Sequence, residues 1–226
     1  MAAPVRTPLH RSRPQTGHRR ERERAAHRQD IVTAARTVFA SRGFDKATLE
    51  EIAEQAEFGK GTVYNYFDSK ESLFTAALES LLDDVRQIAA AAAREPGSAR
   101  QRFDRYARRL VEYYQSNYDF CQMVMHEWAR ADQAGRGQRV RRLQGSLLAA
   151  VEPLADVLRR AMRTGEVRRV DPMGLAIMFF GLVHEYFLHA PSARGEQALK
   201  NARPHTDLVV SVFFDGVGRA QTVSGV

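Results

Sequence analysis

Apolar residues recur three or four positions apart along most of the chain, and they nowhere alternate with polar residues as a half-buried strand requires. This spacing places them on one side of a helix, so the sequence predicts an all-α fold. The first stripe predicts a helix over residues 25–41 that ends at Gly43, a residue that readily takes the left-handed conformation of a helix cap. Its members are Ile31, Ala34, Ala35, Val38 and Phe39.

Three further helices are predicted in the middle of the chain. The first is a long amphipathic helix over residues 73–93, which the sequence Glu-Pro-Gly-Ser at 95–98 ends. Apolar stripes then predict a helix around residues 103–114 and another over residues 117–131. The glycines at 135 and 137 predict a loop that follows these helices.

The last third of the chain is the most apolar. Helical spacing continues over residues 140–165, with Pro153 as a kink or a restart. Asp171 and Pro172 are a helix cap and a first-turn proline, and they open a segment that is apolar on nearly every side. We expect that segment to be buried nearly all round, and a final amphipathic helix to cover residues 208–217.

A distinctive pattern lies between residues 48 and 73. Thr48 and Glu51 have the spacing of a capping box, in which the hydroxyl and the carboxylate each bond the other residue's backbone amide. They open a short amphipathic helix, after which Gly59 and Gly61 allow the backbone to turn tightly. A second short helix follows.

This second short helix has two different sides. Val63 and Phe67 lie four residues apart and face inward, and Asp68 and Glu71 repeat the capping-box spacing, so we expect them to open the next helix. Such a pair of helices is typical of a helix-turn-helix unit that inserts its second helix into the DNA major groove. An ordinary hairpin with a solvated face is the other interpretation. The polar side holds Lys60, Thr62, Tyr64, Asn65 and Tyr66.

The sequence GKGTVYNYFDSKESLF resembles the recognition-helix segment of the TetR/AcrR family of bacterial repressors, and IVTAARTVFASRGFDKATLEEIAEQA resembles the two helices before it. The resemblance implies a DNA-binding domain over residues 25–85 and a helical ligand-binding and dimerisation domain over residues 86–226. Within the second domain, RTGEVRRVDPMGLAIMFFGLVHEYF is similar to the segment that precedes and forms the family's dimerisation bundle. The implied protein is a homodimeric repressor that a small-molecule effector releases from a double-stranded DNA operator.

Two residues depart from the family pattern. Glu57 stands where a turn glycine is usual, and a left-handed conformation costs a residue with a Cβ roughly 1 kcal/mol. Gly59 stands where a serine cap is usual, and glycine caps a helix only about a few tenths of a kcal/mol less well. We expect a turn of slightly different shape.

The resemblance implies which residues hold the DNA backbone. Tyr64 and Lys70 match the family's phosphate-gripping tyrosine and lysine. Thr48 caps a helix whose amino terminus is expected to point at a phosphate. Tyr66 either contacts the sugar-phosphate backbone or covers the core.

Three residues are expected to reach base edges. Lys60 and Thr62 lie on the polar side of the second helix together with Asn65. A lysine donates to guanine, and an asparagine pairs with adenine through two hydrogen bonds. Asn65 departs from the histidine that is frequent at this position, so the family's base preference does not carry over.

A ligand pocket is implied among the middle helices. The inward stripes there are rich in aromatic residues, methionine and leucine and poor in acidic residues, which favours a largely apolar ligand. Each candidate is also an ordinary core position. The candidates are Phe103, Tyr106, Leu110, Met123, His126, Leu147, Phe179 and His184.

The net charge of +7 is unevenly distributed. Residues 1–29 hold eight arginines and two glutamates, a net charge of +6, whereas residues 30–75 hold five basic and eight acidic side chains, a net charge of −3. Residues 1–24 are almost free of apolar side chains, so we expect a disordered basic arm. Such an arm lies along DNA or is a solvated tail.

Composition argues against several other classes of protein. The single Cys121 excludes an internal disulfide, which fits a reducing cytoplasm. The most apolar segment, residues 173–183, is too short to span a membrane, and the basic amino terminus lacks the apolar core of a secretion signal.

No metal, cofactor or catalytic site is expected. His126 with Glu127, and His184 with Glu185 and His189, have spacings that turn the side chains apart on a helix. The sequence shows no nucleophile with a base, no phosphate loop and no paired carboxylates. The remaining alternatives are an activator or a ligand-independent repressor of the same family, and a carrier or enzyme of apolar molecules whose DNA motif is vestigial.

Overall fold

The computed structural model describes residues 16–133, 137–189 and 196–217, and within these ranges it contains nine α-helices and no strand. The predicted all-α fold is confirmed. The helices are α1 Thr16–Lys46, α2 Leu49–Gln55, α3 Lys60–Tyr66, α4 Lys70–Arg94, α5 Ala99–Ser116, α6 Tyr118–Gln133, α7 Gly137–Thr164, α8 Pro172–His189 and α9 Glu196–Val217.

Helices α1 to α3 and the first turns of α4 share an apolar core. Phe39 and Phe44 of α1 pack against Phe74 of α4, with ring centroids 5.3 and 4.9 Å from that of Phe74. Gly43 leaves helical geometry at φ 75° and ψ 163°, so the backbone bends and turns Phe44 back onto this core. The helix was predicted to end at Gly43; helical geometry does break at this residue, but helical structure resumes beyond it and ends at Lys46.

The amino-terminal part of α1 corrects a prediction. The helix begins at Thr16, so residues 16–24 are helical, whereas the sequence predicted disorder. These residues need no apolar core to be helical, because arginine and glutamate favour the helix intrinsically and Arg19 pairs with Glu23 four residues on, at 2.8 Å. Residues 1–15 of the predicted arm lie outside the described residues.

The start of α4 corrects a second prediction. Ser69 is the cap residue, with extended φ −158° and ψ 162°, and its hydroxyl accepts from the amide of Ser72 at 3.1 Å. The hydroxyl of Ser72 in turn accepts from the amide of Ser69 at 3.3 Å. The expected capping box of Asp68 and Glu71 is thus shifted by one residue, and it satisfies the amides of Ser69 and Ser72 instead of those of Asp68 and Glu71.

Helix α4 connects the two halves of the molecule. It packs against α1 and most extensively against α7, while α5 packs against α9 and α7 against α8. The predicted stop over residues 95–98 is present between α4 and α5, and Pro153 lies inside the uninterrupted helix α7. The loop predicted at residues 135–137 falls largely outside the described residues, and α7 begins at Gly137.

Helix α8 begins as predicted, but it is not buried all round in a single chain. The carboxylate of Asp171 accepts from the amides of Met173 at 3.1 Å and Gly174 at 2.8 Å. One row of α8 then stays exposed, including Met178 at 61% and Leu182 at 43%. The apolar character of α8 therefore exceeds what one chain covers.

The turn between α2 and α3 predicts a measurable strain. Glu57 has φ 58°, the left-handed region that disfavours a Cβ. Replacing Glu57 with glycine should raise the free energy of unfolding by about 1 kcal/mol. Glu57→Ala removes the same side chain but keeps the Cβ, so it is the matched control and should change stability little. Chemical denaturation measures both, and equal stability of the two variants would contradict strain at this residue.

Candidate nucleic-acid interface and ligand-binding region

The second helix of the predicted unit is held by a rigid first helix and turn. The amide of Glu51 donates to the Thr48 hydroxyl at 3.2 Å and the amide of Thr48 donates to the Glu51 carboxylate at 3.0 Å, so the predicted capping box of α2 is confirmed. Ile52 is fully buried beneath it. The amide of Phe58 then donates to the carbonyl of Ala53 at 2.9 Å and closes the turn before α3.

Helix α3 has one buried side and one open side. Val63 is fully buried and Phe67, just past its end, is 4% exposed. Lys60, Tyr64 and Asn65 are exposed on the other side. A short helix anchored from below and covered with donors above has the shape needed to enter the major groove.

Lys60 is already paired in the free protein. Its ammonium contacts the carboxylate of Glu50 on α2 and lies 5.9 Å from the ring centroid of Tyr64. The hydrogen bond between them raises the pKa of Lys60 and lowers that of Glu50. Both side chains are exposed, and exposed ion pairs are weak, so DNA can compete with Glu50 for this ammonium.

Lys70 has an internal contact that the sequence did not reveal. Its ammonium donates to the carbonyls of Asp45 and Ala47, both at 3.0 Å, and lies 4.8 Å from the ring centroid of Phe44. Two of its three N–H donors therefore tie the start of α4 to the turn between α1 and α2. One donor remains for a phosphate.

Tyr66 and Phe67 lie beneath two arginines of α1. The guanidinium carbon of Arg24 is 5.8 Å from the ring centroid of Tyr66, and that of Arg28 is 5.1 Å from the ring of Phe67. These distances are in the range of cation–π interactions. The ring of Tyr66 is therefore partly covered by Arg24.

The interior of the carboxy-terminal half is aromatic. The ring of Phe103 on α5 lies 4.8 Å from that of Phe179 on α8 and 5.7 Å from that of Phe213 on α9, measured between centroids. Tyr106 is fully buried beside them, 6.2 Å from Phe179, and its hydroxyl has no hydrogen-bond partner among the described residues. Burial raises the pKa of Tyr106, so this hydroxyl is a neutral group.

Tyr114, His184 and Met125 form a second set of contacts in the same interior. The Tyr114 hydroxyl lies 2.7 Å from Nδ1 of His184, whose Nε2 lies 3.1 Å from the sulfur of Met125. A neutral histidine with its hydrogen on Nε2 satisfies both contacts, because Nδ1 then accepts from Tyr114. Burial raises the pKa of Tyr114 well above its usual value.

The structure brings several predicted pocket residues together. Phe103, Tyr106, Leu110 and Phe179 are fully buried in one apolar cluster, and His184 is half-buried at its edge. Met123 and Leu147 are partly buried, and the side chain of His126 lies outside the described residues. Sequence reasoning missed Tyr114 and Met125 as polar neighbours of His184, although Tyr114 lies on the same inward stripe as Tyr106.

A partly buried ion pair joins the two halves of the molecule. Arg36 of α1 donates to Asp84 of α4 at 2.7 Å, to the Tyr113 hydroxyl of α5 at 2.7 Å and to the Asn117 side chain at 2.8 Å. The Tyr113 hydroxyl donates to Asp84 at 2.8 Å, which closes the network. The guanidinium carbon also lies 5.3 Å from the ring centroid of Phe120 on α6. We call Arg36, Asp84, Tyr113 and Asn117 the junction cluster.

The junction cluster lines a cleft of about 470 Å³ together with Thr33, Thr37, Gln87 and Ile88. Burial lowers the pKa of Arg36, but the hydrogen bond to Asp84 and the nearby charges raise it further, so the net shift is upward. Burial raises the pKa of Tyr113. Both groups are therefore held in the protonation states that the network needs.

A metal-binding cluster and a membrane-spanning helix are both absent from the described residues. Those residues contain no group of three or more histidine, cysteine or carboxylate side chains placed to hold a metal ion. No described helix is long and apolar enough to cross a membrane.

Two family models match the sequence. The model described as "Bacterial regulatory proteins, tetR family" covers residues 31–77, and "Tetracyclin repressor-like, C-terminal domain" covers residues 100–195. The chain is 28% identical over 180 residues to the HTH-type transcriptional regulator RutR of Escherichia coli strain K12, across 78% of this chain and 81% of RutR. It is 37% identical over 62 residues to the HTH-type transcriptional repressor KstR2 of Rhodococcus jostii, across 27% and 30% of the two chains.

Solved structures share the fold. A TetR-family transcriptional regulator from Mesorhizobium loti superposes with a TM-score of 0.70 at 24% identity, covering 86% of this chain and 98% of that chain. The regulator FadR of Bacillus subtilis, in complex with stearoyl-CoA, superposes with a TM-score of 0.66 at 18% identity, covering 81% and 97%. At these identities the likeness concerns the fold alone.

The junction cluster makes a prediction that needs no DNA. Tyr113→Phe removes the hydroxyl that bridges Arg36 and Asp84, so it should lower the free energy of unfolding by about 1.5–3 kcal/mol. Cys121, beside Phe120, can report whether the packing around the cluster loosens. Burial raises the pKa of its thiol to about 12, so the thiol should react slowly at pH 8 while it stays buried. A thiol reagent should therefore react faster with the variant. Tyr64→Phe, which alters an exposed tyrosine, is the control, and unchanged stability and thiol reactivity in Tyr113→Phe would contradict a structural role for the cluster.

Proposed function

Because this chain belongs to the TetR family of bacterial transcriptional regulators, we propose that it is a homodimeric repressor whose operator affinity falls when a largely apolar molecule binds its carboxy-terminal half. One observation supports the DNA-binding part above all. Helix α3 holds Val63 and Phe67 in the core and exposes Lys60, Tyr64 and Asn65 on the opposite side.

The residues of this interface divide into two groups by what they contact. Asn65, Lys60 and Thr62 read base edges, since their amide, ammonium and hydroxyl groups match the donors and acceptors of the major groove. Tyr64 and the amino terminus of α2 at Thr48 hold phosphates, and Lys70 adds its remaining N–H donor there. Phosphate contacts fix position without carrying sequence.

The exposed apolar surface of α8 and α9 supports a dimer. Met178, Leu182 and Tyr186 recur at four-residue spacing on α8, and Leu208 and Val212 do so on α9, all at least 40% exposed. A monomer rarely exposes apolar residues in such continuous rows. A second copy that buries them through a two-fold axis presents two α3 helices to one DNA face, about 34–36 Å apart or a multiple of that.

The interior around Tyr106 supports a ligand that is apolar with one polar group. An unpartnered buried hydroxyl costs about 1–3 kcal/mol, which a ligand atom that hydrogen-bonds to it recovers. The surrounding phenylalanines favour an apolar body, and FadR, a protein of the same fold, binds stearoyl-CoA. We therefore place the effector between α5, α8 and α9, with its polar group at Tyr106.

The junction cluster is the connection from ligand to DNA in this proposal. Tyr113 and Asn117 belong to the carboxy-terminal end of α5, seven or more residues from Tyr106 on the same helix. Arg36 belongs to α1, which packs on α2 and α4 of the DNA-binding half. A ligand that moves α5 shifts the population toward a conformation with the wrong spacing of α3 helices, and only by its difference in affinity for the two conformations.

The DNA contacts predict two kinds of defect. Tyr64→Phe should weaken binding to all sequences alike, because phosphates are the same in every sequence. Asn65→Ala should lose about 1–3 kcal/mol of discrimination at one base pair and little elsewhere. Titration against operator variants with single base-pair changes separates them. An equal loss across every variant for Asn65→Ala would show that this residue does not read a base.

Replacing Tyr106 should stabilise the free protein but weaken ligand binding. Tyr106→Phe removes an unpaired hydroxyl, so the free protein should become about 1 kcal/mol more stable, while Tyr64→Phe at an exposed tyrosine should leave stability unchanged. A thermal-shift screen of fatty acids, acyl-CoA molecules and aromatic compounds should yield hits that raise thermal stability and lower operator affinity together. Tyr106→Phe should weaken those hits about tenfold.

A block of the pocket is the companion measurement. Phe103→Trp or Leu147→Trp should abolish both effects of a hit and leave DNA binding intact. A full response in the tryptophan variants would remove these residues from the pocket. If no compound class releases the protein from DNA, the chain is a ligand-independent regulator of the same family.

A further inference from the structure

The helix-turn-helix core has a shortage of available positive charge. Residues 30–75 carry a net charge of −3, and four of their five basic side chains are engaged within the protein. Arg36 pairs with Asp84, Lys60 with Glu50 and Arg42 with Glu51 at 3.6 Å, while Lys70 donates to two backbone carbonyls. Binding to DNA depends strongly on neutralised phosphates, so charge from outside the core is needed.

The amino-terminal part of α1 supplies that charge as a rigid helix. Residues 16–29 hold five arginines and two glutamates, a net charge of +3. Arg20, Arg24 and Arg28 are exposed and lie four residues apart, so they form one row along the helix. In the described part of the chain, none of these three pairs with a carboxylate, whereas Arg19 pairs with Glu23.

Two of these arginines rest on the recognition helix itself. Arg24 and Arg28 lie over the rings of Tyr66 and Phe67 at the end of α3. His27, which precedes Arg28 on α1, also contacts this unit: its ring centroid lies 5.1 Å from that of Phe58 in the turn before α3. The row therefore has a fixed position relative to α3, and Arg20 extends it by about 6 Å at the helical rise of 1.5 Å per residue.

We propose that Arg20, Arg24 and Arg28 form a ridge that binds the phosphate backbone beside the major groove entered by α3, and that Tyr66 is a positioning residue that holds Arg24. This inference rests on the proposed DNA binding. A helix with its side chains is about 10–12 Å across, wider than the minor groove at about 6 Å, so this part of the chain lies on the backbone rather than inside that groove.

The chemistry of arginine suits both contacts at once. A guanidinium stacked on an aromatic ring keeps its N–H groups free in its own plane, where they can donate to phosphate oxygens. The ring of Tyr66 thus orders Arg24 before DNA arrives. The hydroxyl of Tyr66 is not needed for this role, so phenylalanine should replace it and leucine should not.

The test measures the salt dependence of DNA binding by the full chain, on a duplex selected by the wild-type protein from random sequence. In the triple variant, Arg20, Arg24 and Arg28 are each replaced by glutamine. The plot of log affinity against log salt should then become less steep, its slope losing about 2–3 in magnitude, at about 0.9 for each lost phosphate contact. Sequence preference should stay the same, since phosphates carry no sequence. Glutamine is a good helix former, and circular dichroism checks that α1 is kept.

The matched control removes the same charge elsewhere. Replacing Arg86, Arg94 and Arg160, three exposed arginines on α4 and α7, with glutamine should leave the slope unchanged. An equal fall in both triple variants would overturn the ridge, because it would be an effect of net charge alone. An unchanged slope in the ridge variant would overturn it as well.

Tyr66 provides the second measurement. Tyr66→Phe should bind DNA as the wild type does. Tyr66→Leu should bind more weakly, and its slope of log affinity against log salt should be smaller in magnitude by about one. If Tyr66→Phe weakens binding as much as Tyr66→Leu, the hydroxyl contacts DNA and the positioning role is wrong. A wild-type protein that enriches no duplex would overturn the proposed function itself, which is a different result from loss of the ridge alone.

Discussion

The partly buried contact between Arg36 and Asp84 is the constraint on which the two halves of this molecule depend. A guanidinium whose side chain is only 14% exposed is costly to leave unpaired, and here three of its five N–H donors bond Asp84, Tyr113 and Asn117. These residues come from α1, α4 and the end of α5, so no one of the three helices can move without breaking a charged hydrogen bond. In the proposed mechanism, a ligand bound among α5, α8 and α9 acts on DNA binding through this junction.

Local sequence signals predicted local structure well. The spacing of Thr48 and Glu51, and the pair Asp171 and Pro172, specify caps through atoms three residues apart, and both caps are present. Two local predictions were wrong for physical reasons. The helix α4 begins one residue later than predicted, with Ser69 and Ser72 as its capping box, and residues 16–24 form a helix through arginine–glutamate pairing without any apolar core.

What the sequence could not supply is long-range pairing. Arg36 bonds Asp84, Tyr113 and Asn117, which lie 48 to 81 residues further along the chain, and Lys70 bonds the carbonyls of Asp45 and Ala47. No pattern in the sequence predicts either contact. The same holds for Tyr106, whose place on an inward stripe was readable but whose unpartnered hydroxyl was not. The engagement of Lys60 and Lys70 within the protein is the reason why we propose that the positive charge of α1 contributes to DNA binding.

The central claim is that two α3 helices of a dimer read DNA through Asn65 and its neighbours. Selection of duplexes by the purified full chain from a random-sequence library tests it most directly. We expect enrichment of a two-fold palindrome, with half-site centres about one helical turn apart or a multiple of it, and an altered base preference at one symmetric position with Asn65→Ala. Enrichment of no sequence, or of a single unpaired half-site that Asn65→Ala leaves unchanged, would contradict it.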